Sequence, residues 1–274
     1  MEIVFAKNIG FCSGVKKAIL IAENSLEKDK RPIQFLGSLV HNQKVLDKFK
    51  NNGVRFIKKI NEANSGTLII QAHGIPPLTI KNNRLILRDA TCPLVKKVQL
   101  AAKNLYNEGY KVIIIGDKKH SETRGVKGYT KNKAIIIENK EQAKKISKFK
   151  KMGVVAQTTQ NLKNVNEILI VLKGKAEELK YIDTLCPEVQ TRQKELNSIL
   201  KKADGILVIG SRLSANTQRL AEIAKKNKKP VWLINSSKEI KTNAFEKVSV
   251  LGVVSGASSP DWIIKDISAK LKSR

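Results

Sequence analysis

The stretch Asp89-Ala90-Thr91-Cys92-Pro93-Leu94-Val95-Lys96-Lys97 reads as the end of a short apolar strand, a cysteine, and the start of an amphipathic helix. Two other stretches repeat it. Ile9-Gly10-Phe11-Cys12-Ser13-Gly14-Val15-Lys16-Lys17 places its cysteine 80 residues upstream. Asp183-Thr184-Leu185-Cys186-Pro187-Glu188-Val189-Gln190 places its cysteine 94 residues downstream. After each cysteine the same series follows: helix, strand ending in glycine, polar turn, helix, strand, second polar turn. The first glycine-ended strands close at Gly37, Gly116 and Gly210, which lie 25, 24 and 24 residues after their cysteines.

Apolar spacing sets the expected elements. Strands are predicted over 3–6, 33–36, 54–57, 67–71 and 85–87, with helices over 14–28 and 42–50. After Cys92, helices are predicted over 95–106, 125–129, 140–149 and 162–172, and strands over 111–115, 134–137, 153–156 and 181–183. After Cys186, helices are predicted over 188–202, 217–225 and 261–271, and strands over 205–209, 230–234 and 248–254. This alternation predicts three similar α/β lobes with mostly parallel sheets around a central site. Lobe one covers 13–92, lobe two 93–185 and lobe three 186–274, with the N-terminal strand segment 1–12 packing on lobe three.

Composition is that of a globular chain, 41% hydrophobic and 28% charged, with no apolar run long enough to span a membrane. No signal peptide is legible at the start, so a cytoplasmic location is expected, where thiols stay reduced. Three cysteines, an odd number, argue against a disulfide framework and for metal binding or catalysis. The net charge of +28 suits a polyanionic partner. Lysines are scattered, however, without dense runs or interleaved aromatics, which favours lysine-rich solvated helix faces over nucleic acid; a phosphorylated small substrate would also profit from the positive field.

The chain has three histidines. His41 and His120 each follow the strand-ending glycine of their lobe by four residues, and Asn216 follows Gly210 by six. His73, Thr158 and Ser258 end the later strands of the three lobes. Ligands of open parallel sheets bind outside such strand ends. Ser and Thr there also serve as helix N-caps, a plain role open to Thr158, Ser214 and Ser258. The register of these residues across three repeats is what marks a site. Pro after Cys92 and Cys186 puts each sulfur at a helix N-terminus, where anionic sulfur is favoured. Three thiolates with an open position fit either zinc or an iron–sulfur cluster. Paired knuckles typical of structural zinc are missing, whereas isolated cysteines can hold three corners of a [4Fe–4S] cluster. A histidine could be the fourth ligand, or the histidines could bind phosphate. Glu122 is the carboxylate in these turns. It is either a proton donor or a solvent-exposed helix-start residue.

Phe11-Cys12-Ser13-Gly14-Val15, Leu39-Val40-His41-Asn42, Ala72-His73-Gly74, Ala90-Thr91-Cys92-Pro93, His120-Ser121-Glu122, Gln157-Thr158-Thr159 and Gly256-Ala257-Ser258 together resemble the 4-hydroxy-3-methylbut-2-enyl diphosphate reductase family, the last step of the methylerythritol phosphate route to isoprenoids. The resemblance implies one [4Fe–4S] cluster per chain, held by Cys12, Cys92 and Cys186. It implies that His41, His73, Ser214, Asn216 and Ser258 hold the substrate diphosphate, with His120 close by. Glu122, assisted by Thr158, would relay protons to the leaving hydroxyl, and the open iron would bind the substrate oxygen. A ferredoxin or flavodoxin would supply electrons. Three positions depart from the family pattern: Ala215 where a second Ser is usual, Val189 where Thr is frequent, and Ser121 where Pro is common. The competing readings are a basic nucleic-acid-binding protein and a metal-free phosphate-binding transferase with incidental cysteines.

Overall fold

The computed structural model describes residues 1–78, 84–241 and 243–273. In chain order the elements begin with β1 (Glu2–Phe5), α1 (Ser13–Lys28), β2 (Ile33–Leu36), α2 (Gln43–Asn51), β3 (Arg55–Ile57), β4 (Gly66–Ile70) and β5 (Leu85–Asp89). They continue with α3 (Pro93–Asn107), β6 (Lys111–Ile115), α4 (Ser121–Gly128), β7 (Ile135–Ile137), α5 (Lys140–Lys144), β8 (Phe149–Ala156), α6 (Leu162–Lys173) and β9 (Ala176–Tyr181). The last are α7 (Pro187–Ile199), β10 (Gly205–Ile209), α8 (Ala215–Lys226), β11 (Val231–Ile234), β12 (Val250–Ser255) and α9 (Asp261–Lys272).

Among the described residues the strands form three four-stranded sheets, ordered β3-β2-β4-β5, β7-β6-β8-β9 and β11-β10-β12-β1, with every pairing parallel. The three orders are one pattern. The first strand of each lobe pairs with the second on one side and the third on the other, and a fourth lies beyond the third. In the last lobe that fourth strand is β1, the start of the chain, which pairs Glu2 with Val250 through Phe5 with Val253. So β1, β5 and β9 hold equivalent places, and each leads into a cysteine.

This order fixes where ligands can bind. Strand order reverses between the first and third strands of each sheet, and the gap outside their C-terminal ends is the switch point. The residues after β2 and β4, after β6 and β8, and after β10 and β12 lie there. They include His41, His73, His120, Thr158, Ser214, Asn216 and Ser258.

Alternation along the strands builds the cores. Ile113, Ile115, Met152 and Val154 pack with Val165, Ile168 and Leu172 of α6. Their neighbours Val112, Ile114 and Val155 face the other way, onto Val98, Ala102 and Leu105 of α3. The third lobe repeats this. Ile206 and Val208 pack with Leu196, Ile199 and Leu220, whereas Leu207, Leu251 and Val253 pack with Ile263, Ile267 and Leu271. Each fully buried aliphatic side chain contributes roughly 1.5–3 kcal/mol. The chain divides into two compact units. One comprises Met1–Lys16, His41–Lys48 and Pro187–Arg274, and carries the sheet of the third lobe. The other comprises Lys17–Val40 and Phe49–Cys186, and carries the other two sheets.

Three expected elements are corrected. The helix expected over 125–129 begins at Ser121, capped by His120. The helix expected over 140–149 stops at Lys144, and Phe149 opens an eight-residue strand instead. The strand expected over 181–183 runs Ala176–Tyr181 and ends before Asp183. The last of these has a physical cause. Glu177, Glu178 and Lys180 have low strand propensity, but on a sheet edge they point to water while β9 pairs with β8 from Phe149 to Val154. No helix of the described residues is long and apolar enough to cross a membrane.

Candidate functional site

In the unit that carries the first two lobes, Thr158 is the hub. It follows β8, and its backbone N–H donates to Glu122 Oε1 at 2.7 Å while its hydroxyl donates to Oε2 at 2.9 Å. Its carbonyl accepts the Cys186 N–H at 2.9 Å. The turn before Cys186 is pinned to the same strand, since the Thr184 hydroxyl accepts the Ala156 N–H at 2.9 Å and donates to the Ala156 carbonyl at 2.6 Å. A buried carboxyl and a cysteine backbone are thus bound to one threonine. The N-cap role considered for Thr158 gives way to this one: Asn161 caps α6.

Glu122 lies in the first turn of α4, and His120 Nδ1 accepts its N–H at 3.2 Å. Its side chain is 1% exposed, so the solvent-exposed alternative does not hold. Burial pushes its carboxyl up to about 7, the nearby Asp117 charge pushes the same way, and the two Thr158 bonds oppose them. A carboxylic acid that holds its proton near neutral pH can donate it. The turn before α4 is fixed in turn. Gln157 Oε1 accepts the Asp117 N–H at 2.8 Å, and the Thr123 hydroxyl donates to the Asp117 carbonyl at 2.6 Å. Neither Asp117 nor Thr123 was singled out from sequence.

Cys92 is the N-cap of α3, with Pro93 next, and its N–H donates to the Ala72 carbonyl at 2.9 Å. That bond joins the Cys92 turn to the residue before His73. The His73 and His120 rings lie edge to face, their centroids 5.5 Å apart. Close by, α4 packs on the turn after His73 through Gly128. A Cβ on Gly128 would stand 2.5 Å from Pro76 Cβ and 3.0 Å from Pro76 Cα. Gly128→Ala is therefore expected to wedge the His73 turn away from α4 and to destabilise the fold by about 1–3 kcal/mol, read as a lower urea midpoint.

In the other unit, Cys12 sits between β1 and α1. Its N–H donates to the Ala257 carbonyl at 3.0 Å, and the Val15 N–H of α1 points at its Sγ at 3.4 Å. Ser258 is not a cap, because α9 starts from Pro260. Its hydroxyl donates to the His41 carbonyl at 3.4 Å, and its own carbonyl accepts the Asn42 Nδ2–H at 2.9 Å. The unit thus brings His41 and Ser258 together. Ser214 does cap α8, accepting the Thr217 N–H at 3.5 Å. Asn216, in the first turn, is 3% exposed, and neither its side-chain oxygen nor its nitrogen has a hydrogen-bond partner among the described residues. A buried amide in that state costs about 1–3 kcal/mol, which a polar ligand would offset. Ala215 opens α8, Val189 is buried on α7 and Ser121 is the first residue of α4.

None of the three cysteines is in a disulfide. Each precedes the first turn of a helix, and an amide hydrogen already points at the Cys12 sulfur, so the donor set fits a thiolate-ligated metal group. Asn216 at the start of α8 fits an anion.

A family model described as LytB protein matches residues 3–272. The chain is 39% identical over 276 residues to the 4-hydroxy-3-methylbut-2-enyl diphosphate reductase of Dictyoglomus turgidum, covering 100% of this chain and 97% of that one. It is 36% identical over 279 residues to the protein of the same name from Clostridioides difficile, covering 100% of each. Among solved structures, it is similar to the E-1-hydroxy-2-methyl-but-2-enyl-4-diphosphate reductase of Plasmodium falciparum, with TM-score 0.93 and 32% identity over 99% of this chain and 88% of that one.

Proposed function

Because the chain belongs to the LytB protein family, we propose that it reduces 4-hydroxy-3-methylbut-2-enyl diphosphate to isopentenyl and dimethylallyl diphosphate. The chain is an oxidoreductase of isoprenoid synthesis. In the proposed reaction two electrons and two protons enter, the allylic C–O bond breaks, water leaves, and the remaining proton ends on carbon. The observation that carries this reading is the Glu122–Thr158–Cys186 connection. A buried carboxyl that keeps its proton to about pH 7 is hydrogen-bonded to the residue that holds the backbone of a cysteine.

Cys12, Cys92 and Cys186 would hold one [4Fe–4S] cluster, which when bound supplies electrons and a Lewis-acid iron. Glu122 holds the proton for the leaving hydroxyl at its carboxyl oxygen. Thr158 orients that carboxyl and can pass a proton through its hydroxyl, while His120 sets the start of α4. His41, His73, His120, Ser214, Asn216 and Ser258 would bind the diphosphate, with Asn216 gaining the partners its buried amide lacks among the described residues. A net charge of +28 favours this anionic substrate, and it favours an acidic one-electron donor of the ferredoxin or flavodoxin type.

Purified without oxygen, the protein is expected to be brown and to carry about four irons and as many sulfides per chain. With a chemical reductant it is expected to convert the allylic diphosphate. A folded protein that stays colourless and iron-free after anaerobic reconstitution would remove the proposal.

A further inference from the structure

One face of α7 grips the loop that presents Cys12. Glu188, Arg192 and Glu195 are spaced i, i+4 and i+7, so they share a helix face. They take the loop and the first residue of α1 in the reverse order, Ser13, Gly10 and Asn8. Glu188 accepts the Ser13 N–H at 3.2 Å on each carboxylate oxygen and also accepts the Ser13 hydroxyl. Arg192, 5% exposed, donates from Nη2 to the Gly10 carbonyl at 2.8 Å and from Nη1 to the carbonyl and hydroxyl of Ser255 at 3.3 Å. Glu195 accepts the Asn8 N–H at 2.9 Å and the Asn8 side-chain amide. The Ser255 hydroxyl accepts the Gly10 N–H at 2.8 Å, which closes a ring through β12. Gly10 has φ +92°, and a Cβ there would lie 2.5 Å from Asp261 Oδ1, so the loop takes this path only with glycine.

We infer that Glu188, Arg192 and Glu195 are positioning residues for the Cys12 thiolate, with Arg192 the chief of them. Arg192 is buried, and its loss would leave the carbonyls of Gly10 and Ser255 without their charge-assisted donor. Glu188 and Glu195 are only half-buried, and their bonds compete with water. The helix that grips this loop begins at the residue after Cys186. A side chain that must ligate a metal group has to be held within about 0.5 Å, which a loop alone does not provide. The inference rests on Cys12 being a cluster ligand.

The test uses Arg192→Met, Arg192→Lys and Ser13→Ala in the full chain. Its first readout needs no iron. The reduced, iron-free protein is treated with iodoacetamide, and alkylation is timed separately at Cys12 and Cys92 by peptide mass spectrometry. Arg192→Met is expected to speed alkylation of Cys12 about tenfold, the scale of one lost buried hydrogen bond, and to leave Cys92 unchanged. Arg192→Lys should fall between it and the parent. Ser13→Ala should raise the Cys12 rate alone, by about threefold. The second readout is the rate of iron loss to a chelator from reconstituted protein, which should rise in the same order. An unchanged Cys12 rate in Arg192→Met overturns the inference. If that variant loosens Cys12 and Cys92 alike, Ser13→Ala decides, and an unchanged Cys12 rate there overturns it. A parent chain that takes up no iron defeats the cluster reading instead, and leaves the alkylation ratio as a separate result.

Discussion

Replacing Glu122 by Gln is expected to lower turnover by about 10²–10⁴-fold, the range a positioned general acid supplies, and to leave iron content unchanged. The geometry should survive. The Gln carbonyl can accept the Thr158 N–H, and the Thr158 hydroxyl can turn to accept from the Gln amide. What is lost is the proton. Burial holds it on Glu122 up to about pH 7, so turnover that depends on it should fall as pH rises past that value. The same shift acts on stability. The carboxyl titrates near 4.5 when solvated and about 7 in the fold. Its raised value stabilises the fold fully below pH 4.5, and this contribution is lost as pH climbs through 7. At pH 8 the buried charge costs on the order of 3 kcal/mol relative to acid conditions. Gln does not titrate, so the variant should turn over far more slowly yet unfold at higher denaturant than the parent above pH 7. Urea midpoints at pH 5 and pH 8, with a reductant-driven assay on the same samples, check both halves. Undiminished turnover would end the assignment of Glu122 as proton donor.

The repeat was legible because each lobe writes the same punctuation: a buried strand, a glycine, a polar turn. Parallel strands buried on both faces read as apolar runs, and 111–115 and 205–209 are such runs. The polar residues could be placed at strand ends from these runs alone. The start of α4 could not, because Gly125 and Gly128 lower helix propensity in a short segment. At Gly128 the reason is tertiary, because it lets Pro76 approach; a Cβ on Gly125 would meet only the Ile75 backbone, at 3.5 Å. The burial of Glu122 was equally hidden, since a Glu in a first helical turn is ordinarily solvated. Arg192 left a faint trace only, a cation six residues after Cys186 on an otherwise amphipathic helix. Its partners lie 63 and 182 residues away in the chain, beyond the reach of local pattern.

Replacing Cys92 by Ala is expected to take iron from about four per chain to near zero, with turnover falling below detection. The argument turns on how little else that substitution removes. Cys92 caps α3 in position but makes no side-chain capping bond, so alanine there forfeits no helix-start hydrogen bond. Its backbone bond to Ala72 does not depend on the side chain. Pro93 still starts the helix. Thermal unfolding of the iron-free variant should therefore match that of the iron-free parent within a few degrees. Cys12→Ala and Cys186→Ala should lose iron to the same degree, since each removes one of three protein ligands. Stability at Cys186 should be more affected, because that side chain is buried. Equal iron loss at all three positions is what a shared cluster demands, whereas three incidental thiols would leave iron content untouched whatever each costs in stability. If Cys92→Ala stays active and iron-free, a metal-free transferase accounts for the chain better than a cluster enzyme does.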